Sequence, residues 1–194
     1  MDRNTRDRMA SSKNVHCGTP LNLFTTLDAE FHFGLDPCGR ADRLLKRDDD
    51  MRTFLGPEDE DGLKAPWKDH LRLHGQHPPA VFMNPPYGRA IGRWLEKARH
   101  EHFKNGLTVA CLLPARVDTA WFQDLVLWQA ELRWIRSRLA FDRVGEKLEP
   151  ALFPSVIAVY TKARHRELVI DKTGRIFMER KSTIWTHEIA GWKK

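Results

Sequence analysis

The chain has 194 residues, 41% of them apolar, enough for one domain with a proper core and marginal for two. That composition excludes a disordered chain, and no stretch approaches the roughly 18–20 uninterrupted apolar residues of a membrane helix. Lysine and arginine (32) outnumber aspartate and glutamate (26), giving a formal charge of +6, which is compatible with a polyanionic partner without requiring one.

Met1 to Ser12 is charged and polar, without the apolar run of a secretory signal, so residues 1–14 are expected to form a flexible tail ahead of a single domain, 15–194. Cys17, Cys38 and Cys111 are odd in number with no C-x-x-C spacing. Neither a disulfide framework nor a zinc ribbon is expected, and a reducing cytoplasm fits best.

Thr19-Pro20 reads as a helix start, Thr19 as cap and Pro20 at the first helical position, with Leu21, Phe24 and Leu27 following at helical spacing. Phe31, Phe33 and Leu35 then alternate with His32 and Gly34 as a strand would, running into the turn Asp36-Pro37-Cys38-Gly39. Residues 48–79 read as long loops with one short helix near 67–74. Ala80-Val81-Phe82-Met83 is a buried strand that Pro85 and Pro86 stop.

A helix over 89–104 turns Ile91, Trp94, Leu95 and Ala98 inward and ends at Asn105-Gly106. Leu107 to Leu113 is a buried strand, and 118–130 a helix with Trp121, Phe122, Leu125 and Val126 inward. Strands follow at Leu132–Ile135 and Val156–Tyr160, then a hairpin, 168–170 with 175–177 around Asp171-Lys172-Thr173-Gly174. Residues 182–194, with Trp185 and Trp192, suit a closing arm. Strand and helix alternate through 80–136, which predicts an α/β fold: a mostly parallel sheet flanked by helices, with the hairpin as a C-terminal extension. Ligands of such sheets bind beyond the carboxyl ends of the strands, where 36–39 and 84–87 both fall.

Asn84-Pro85-Pro86-Tyr87 carries the chemistry. The amino group of adenine is a poor nucleophile because its lone pair is delocalised into the ring. Two acceptors around it, the Asn84 side-chain carbonyl and the Pro85 main-chain carbonyl, favour a more pyramidal nitrogen and concentrate the lone pair. Proline fixes φ, so Pro85 and Pro86 preorganise those acceptors. Tyr87 offers a flat face to a base, a contact worth about 1–3 kcal/mol. In-line attack on a sulfonium methyl then needs mainly positioning. The pattern is the signature of amino-group methyltransferases, including enzymes acting on RNA guanine or protein glutamine; the plainer alternative is a rigid strand-to-helix loop.

From about 17 to 142 the chain resembles the phage-type (Dam-like) DNA N6-adenine methyltransferases. The resemblance rests on Thr19-Pro20, Phe33-Gly34-Leu35-Asp36-Pro37-Cys38, Asp61-Gly62-Leu63 with Trp67, Asn84-Pro85-Pro86-Tyr87-Gly88 with Trp94, and Leu112-Leu113-Pro114-Ala115-Arg116 with Trp121-Phe122. It implies a class I, Rossmann-like methyltransferase fold, S-adenosylmethionine as methyl donor, and a flipped adenine in double-stranded DNA as substrate. No metal and no membrane are implied, and a phage-encoded enzyme would work in the host cell cytoplasm, where evasion of restriction is a plausible purpose. Oligomeric state, recognition sequence and any choice of RNA over DNA stay open.

By the same resemblance Asp36, Pro37 and Cys38 meet the methionine end of the cofactor, Thr19 and Pro20 approach its carboxylate, and Asp61 and Asn84 complete its contacts. A turn role for Asp36 and a cap role for Thr19 are the alternatives. The acids at 48–50 read more simply as a solvated loop than as a ribose site. Tyr87, Arg116, Asp118, Arg138 and Phe141 are the candidate substrate contacts; Arg133, Arg136, Arg138, Arg143 and Lys147, with Trp134 and Phe141 interleaved, form a basic run that suits a DNA backbone track, a solvated face being the alternative. Recognition loops are expected in 137–153 and the hairpin. His70, His74 and His77 have no carboxylate or cysteine to complete a metal site.

Overall fold

The computed structural model describes residues 19–38, 61–71, 80–140 and 150–162, together with the backbone of 53–54, 168–170 and 176–178. The expectations for the N-terminal tail, Gly39, the acids at 48–50, His74, His77, Phe141, Arg143, Lys147, the hairpin turn and the 182–194 arm lie outside the described residues.

In chain order the elements are α1 (Leu21–Phe31), β1 (Phe33–Asp36), β2 (Thr53–Phe54), α2 (Trp67–His70), β3 (Ala80–Met83) and α3 (Ile91–Asn105). Then come β4 (Thr108–Pro114), α4 (Ala120–Leu125), β5 (Glu131–Ile135), β6 (Ser155–Tyr160), β7 (Leu168–Ile170) and β8 (Ile176–Met178). The strands form one sheet in the order β2-β1-β3-β4-β6-β5-β7-β8. β2, β1, β3 and β4 are mutually parallel, with Met83 level with Cys111. β6 is antiparallel to both β4 and β5, placing Ser155 opposite Pro114 and Trp134 opposite Val156. β7 continues parallel to β5, and β8 closes the hairpin at the edge. The mixed α/β architecture is compatible with a methyltransferase-like fold.

The sheet is buried on both faces, so its inner strands are continuously apolar instead of alternating. On one face Val81, Met83, Cys111, Leu113, Val156 and Ala158 pack with Trp67, Trp94, Leu95 and Phe122 from α2, α3 and α4. On the other, Phe82, Leu112 and Ile157 pack with Leu23, Phe24 and Leu27 of α1. Phe24, Phe33 and Phe82 form an aromatic triangle there, with centroids 5.1–5.6 Å apart.

Several sequence expectations need correction, among them the helix near 67–74, which is only Trp67–His70 because Leu71 is already extended. Phe31 belongs to α1, not to the following strand. The reversal falls at His32, at φ 52°, where the Asp28 carbonyl accepts from His32 N–H (2.8 Å) and its carboxylate from Phe33 N–H (3.0 Å). The helix expected over 118–130 is only Ala120–Leu125: Val126 closes it, and Trp128 turns the chain at φ 63°, 90% exposed. Pro114 is the last residue of β4 and not its stop. The strands at 107–113 and 132–135 do run the same way, but β6 lies between them, because the chain returns through the gap before building the hairpin. By contrast, α3 ends as its sequence says: Gly106, at φ 74°, lets backbone N–H groups reach the carbonyls of Glu101 and His102.

Candidate active site

Strand order places the site. From β1 the chain goes outward to β2, then returns past β1 to β3, so a topological switch point lies between β1 and β3. Asp36-Pro37-Cys38 leaves the carboxyl end of β1, and Asn84-Pro85-Pro86-Tyr87 that of β3. Both flank that crevice.

Asn84 is half-buried, and its Nδ2 donates to Thr19 Oγ1 at 3.1 Å. Thr19 is therefore not the cap of α1; the cap position is Pro20, without a side-chain hydrogen bond. Its buried hydroxyl reaches across 65 positions of sequence to hold the Asn84 side chain in place. Pro85 is buried and Pro86 half-buried. Tyr87 is half-buried, its hydroxyl 3.5 Å from the Leu112 carbonyl and its ring edge-on to Phe153, centroids 5.6 Å apart at 68°.

The turn after β1 is held from within and from outside. Asp36 Oδ1 accepts from Cys38 N–H at 2.9 Å. Gly62 lies against this turn: a Cβ there would stand 2.1 Å from the Pro37 carbonyl oxygen. The Gly62 carbonyl in turn accepts from the buried Trp67 indole at 2.6 Å. Asp61 stays exposed, its carboxylate accepting from Leu63 N–H at 3.0 Å and lying 3.6 Å from Lys64. The turn after β1 and the Asp61-Gly62 turn, which hold the expected cofactor contacts Asp36–Cys38 and Asp61, are thus neighbours. The Cys38 thiol is pushed well above its ordinary range by burial, then by the charge of Asp36 and by Cys111. Burial pushes the Cys111 thiol up too, so neither is a thiolate at neutral pH.

Arg116 and Asp118 are exposed in the turn beyond β4, which Thr119 closes by donating its hydroxyl (2.7 Å) and N–H (3.0 Å) to the Arg116 carbonyl. Arg138 is exposed beyond β5, its guanidinium 3.4 Å from the Ala151 carbonyl. Ala140 and Pro150 form an isolated antiparallel bridge beyond it. Arg133 is different. It is buried, paired with both Glu30 oxygens (2.5 and 2.6 Å) and with Glu131 (2.8 Å), and its guanidinium lies over the Phe31 ring. Burial lowers its pKa, but the hydrogen bonds and charges of Glu30 and Glu131 outweigh that and raise it. Arg133 therefore leaves the expected DNA track. Trp121 is half-buried against the core, edge-on to Phe122.

Sequence reasoning missed Ser155, and took Phe153 only as the end of a recognition loop. The available signal was Phe153-Pro154-Ser155 ahead of an apolar strand, but only the reversed direction of β6 brings its front end to the rim that holds Asn84. Among the described residues, no helix is long and apolar enough to cross a membrane and no His/Cys/Asp/Glu group is arranged to hold a metal.

The family model for DNA N-6-adenine-methyltransferase (Dam) matches residues 8–181. The chain belongs to that family. Comparison with curated proteins and with solved structures finds no match. The Dam-family match extends past the resemblance seen at 17–142 to take in β6 and the hairpin strands.

Proposed function

We propose that the chain is a site-specific DNA adenine-N6 methyltransferase of the class I, Rossmann-like type, using S-adenosylmethionine and acting on an adenine flipped out of duplex DNA. The observation that carries this reading is the Thr19–Asn84 hydrogen bond at the switch point. Thr19 holds the Asn84 amide at the carboxyl end of β3, where its carbonyl oxygen and that of Pro85 would serve as the two acceptors for the amino hydrogens. Such preorganised acceptors act where charge develops and need no rearrangement during the reaction.

The residues of the β1 edge fit the cofactor's methionine end. A carboxylate accepts several hydrogen bonds at once, so Asp36 can take the ammonium while it keeps its turn. Gly62 lets the 61–62 turn close on Pro37 without a side chain between them. Asp61, Pro37, Cys38, Pro20 and Thr19 line the same end of the sheet. The cofactor supplies an electrophilic methyl on sulfur; the chain orients the amine and excludes water. Tyr87 offers the base its ring, Arg116, Asp118 and Arg138 flank the entry from the β4 and β5 sides, and Phe141 is kept as a substrate contact on the sequence resemblance alone. Exposed arginines there suit backbone phosphates.

The test is transfer from labelled S-adenosylmethionine to unmethylated duplex DNA, with the product nucleoside identified by mass spectrometry. N6-methyladenine in DNA is the expected product. Label in RNA or in protein glutamine, with DNA unmodified, would refute the DNA assignment; absence of cofactor binding would mark a silent relative of the family.

A further inference from the structure

Among the described residues, Ser155 Oγ is the one buried side-chain polar atom without a hydrogen-bond partner. Only 1% of the residue is exposed. Leaving a hydroxyl in that state costs free energy that an alanine would avoid, and buried polar groups are otherwise almost always paired. Its position is informative. Ser155 opens β6 directly opposite Pro114, at the carboxyl edge of the parallel strands. Val156 and Ala158 face one core and Ile157 and Val159 the other, so alternation puts Ser155 on the face of Ile157. Phe82 of β3 lies on that face as well, and Asn84 follows it by two residues.

The separation also fits. With β4 between them, Asn84 and Ser155 lie two strand spacings apart across the sheet and two residues apart along it, on the order of 12 Å between Cα atoms. A purine with a hydrogen bond of about 3 Å at each end is of comparable length, so side chains standing off the sheet at these two positions are within reach of its two ends. Phe153, two residues before Ser155, meets the Tyr87 ring, and the Tyr87 hydroxyl reaches Leu112, which lies two residues along β4 from Pro114, the partner of Ser155. The aromatic pair thus lies within a few residues of Ser155 at the same end of the sheet.

Building on the adenine-methyltransferase reading, we propose that Ser155 reads the target base. Its hydroxyl donates to the ring nitrogen on the edge away from the amino group, N3, once the base has parted Tyr87 from Phe153. Asn84 holds the amino end and Ser155 the far end, which fixes the rotation of the ring in its own plane and aims N6 at the methyl donor.

The experiment compares wild type with Ser155→Ala on one duplex carrying, at the target position, adenine or its 1-deaza, 3-deaza or 7-deaza analogue. The substitution is expected to lower kcat/KM on adenine about tenfold, the effect of one lost hydrogen bond. Wild type should lose a similar factor on 3-deazaadenine alone, and the variant no more on that analogue, since the two changes remove the same contact. The variant should melt no lower than wild type, because the hydroxyl has no partner to lose in the free protein. Undiminished transfer by Ser155→Ala overturns the proposal while leaving the adenine reading intact. So does a loss shared equally by all four bases with a lowered melting point, which would mean a buried water as its only partner, or coupling to the 1- or 7-deaza base. Wild type inactive on adenine would remove the underlying reading and this assignment together.

Discussion

The Thr19 hydroxyl is 3.1 Å from Asn84 Nδ2 and makes no cap for its own helix. Thr19→Val keeps the shape and removes the bond. On this account it lowers kcat roughly tenfold, the effect of one lost hydrogen bond, while the fold persists; single-turnover kinetics beside a thermal melt would check both halves, and an unchanged rate would deny Thr19 its orienting role. Cys38 provides a second probe at this scale. Its thiol is raised by burial and by Asp36, so below its shifted pKa the reactive thiolate is scarce. Alkylation of native protein at pH 8 should be slow at Cys38, slower again with cofactor present, and fast in denaturant, with mass spectrometry locating the label. Rapid native labelling would contradict the buried turn.

Two elements test the assembly of the site. Gly62 meets the Pro37 carbonyl so closely that Gly62→Ala must push the 61–62 turn off the β1 turn. Cofactor affinity should fall more than tenfold together with the melting temperature, whereas a variant binding normally would separate the two segments. The Arg133 cluster ties α1 to β5, and truncation to alanine leaves the buried Glu131 without its cation. Truncating a buried pair costs about 3–5 kcal/mol; Glu30 is partly solvated, which sets the expectation near the lower end. At this scale the sequence was partly legible. The apolar spacing of α3 and its glycine stop are local facts, and they appear where expected. Arg133 could not be placed, because its partner Glu30 lies 103 positions away. The length of α4 was hidden for a different reason: Trp128 adopts a positive φ that bulky residues seldom take.

Over the whole molecule, strand direction decides what the site contains. A strand buried on both faces shows the same apolar run whichever way it points, so Val156–Tyr160 could be found in sequence but its direction could not. Ser155 went unnoticed for that reason and Phe153 was expected only as part of a recognition loop, while Asp36–Cys38 and Asn84–Tyr87 could be placed at strand ends from the sequence. The same architecture separates the arginines. Arg116 and Arg138 sit exposed on the rim and Arg133 inside. Alanine at either rim position should lower the salt dependence of DNA binding by about one unit of slope, log K against log salt; alanine at Arg133 should leave that slope unchanged and lower stability instead. The central claim is that the Asn84 amide accepts from the amino group of a flipped adenine. Single-turnover methyl transfer to duplex DNA by wild type and Asn84→Ala, with duplex binding measured on both, tests it most directly. The account predicts that N6-methyladenine formation falls about a hundredfold or more, as when one preorganised transition-state contact is removed, while DNA affinity is kept. Transfer by the variant at the wild-type rate would contradict it.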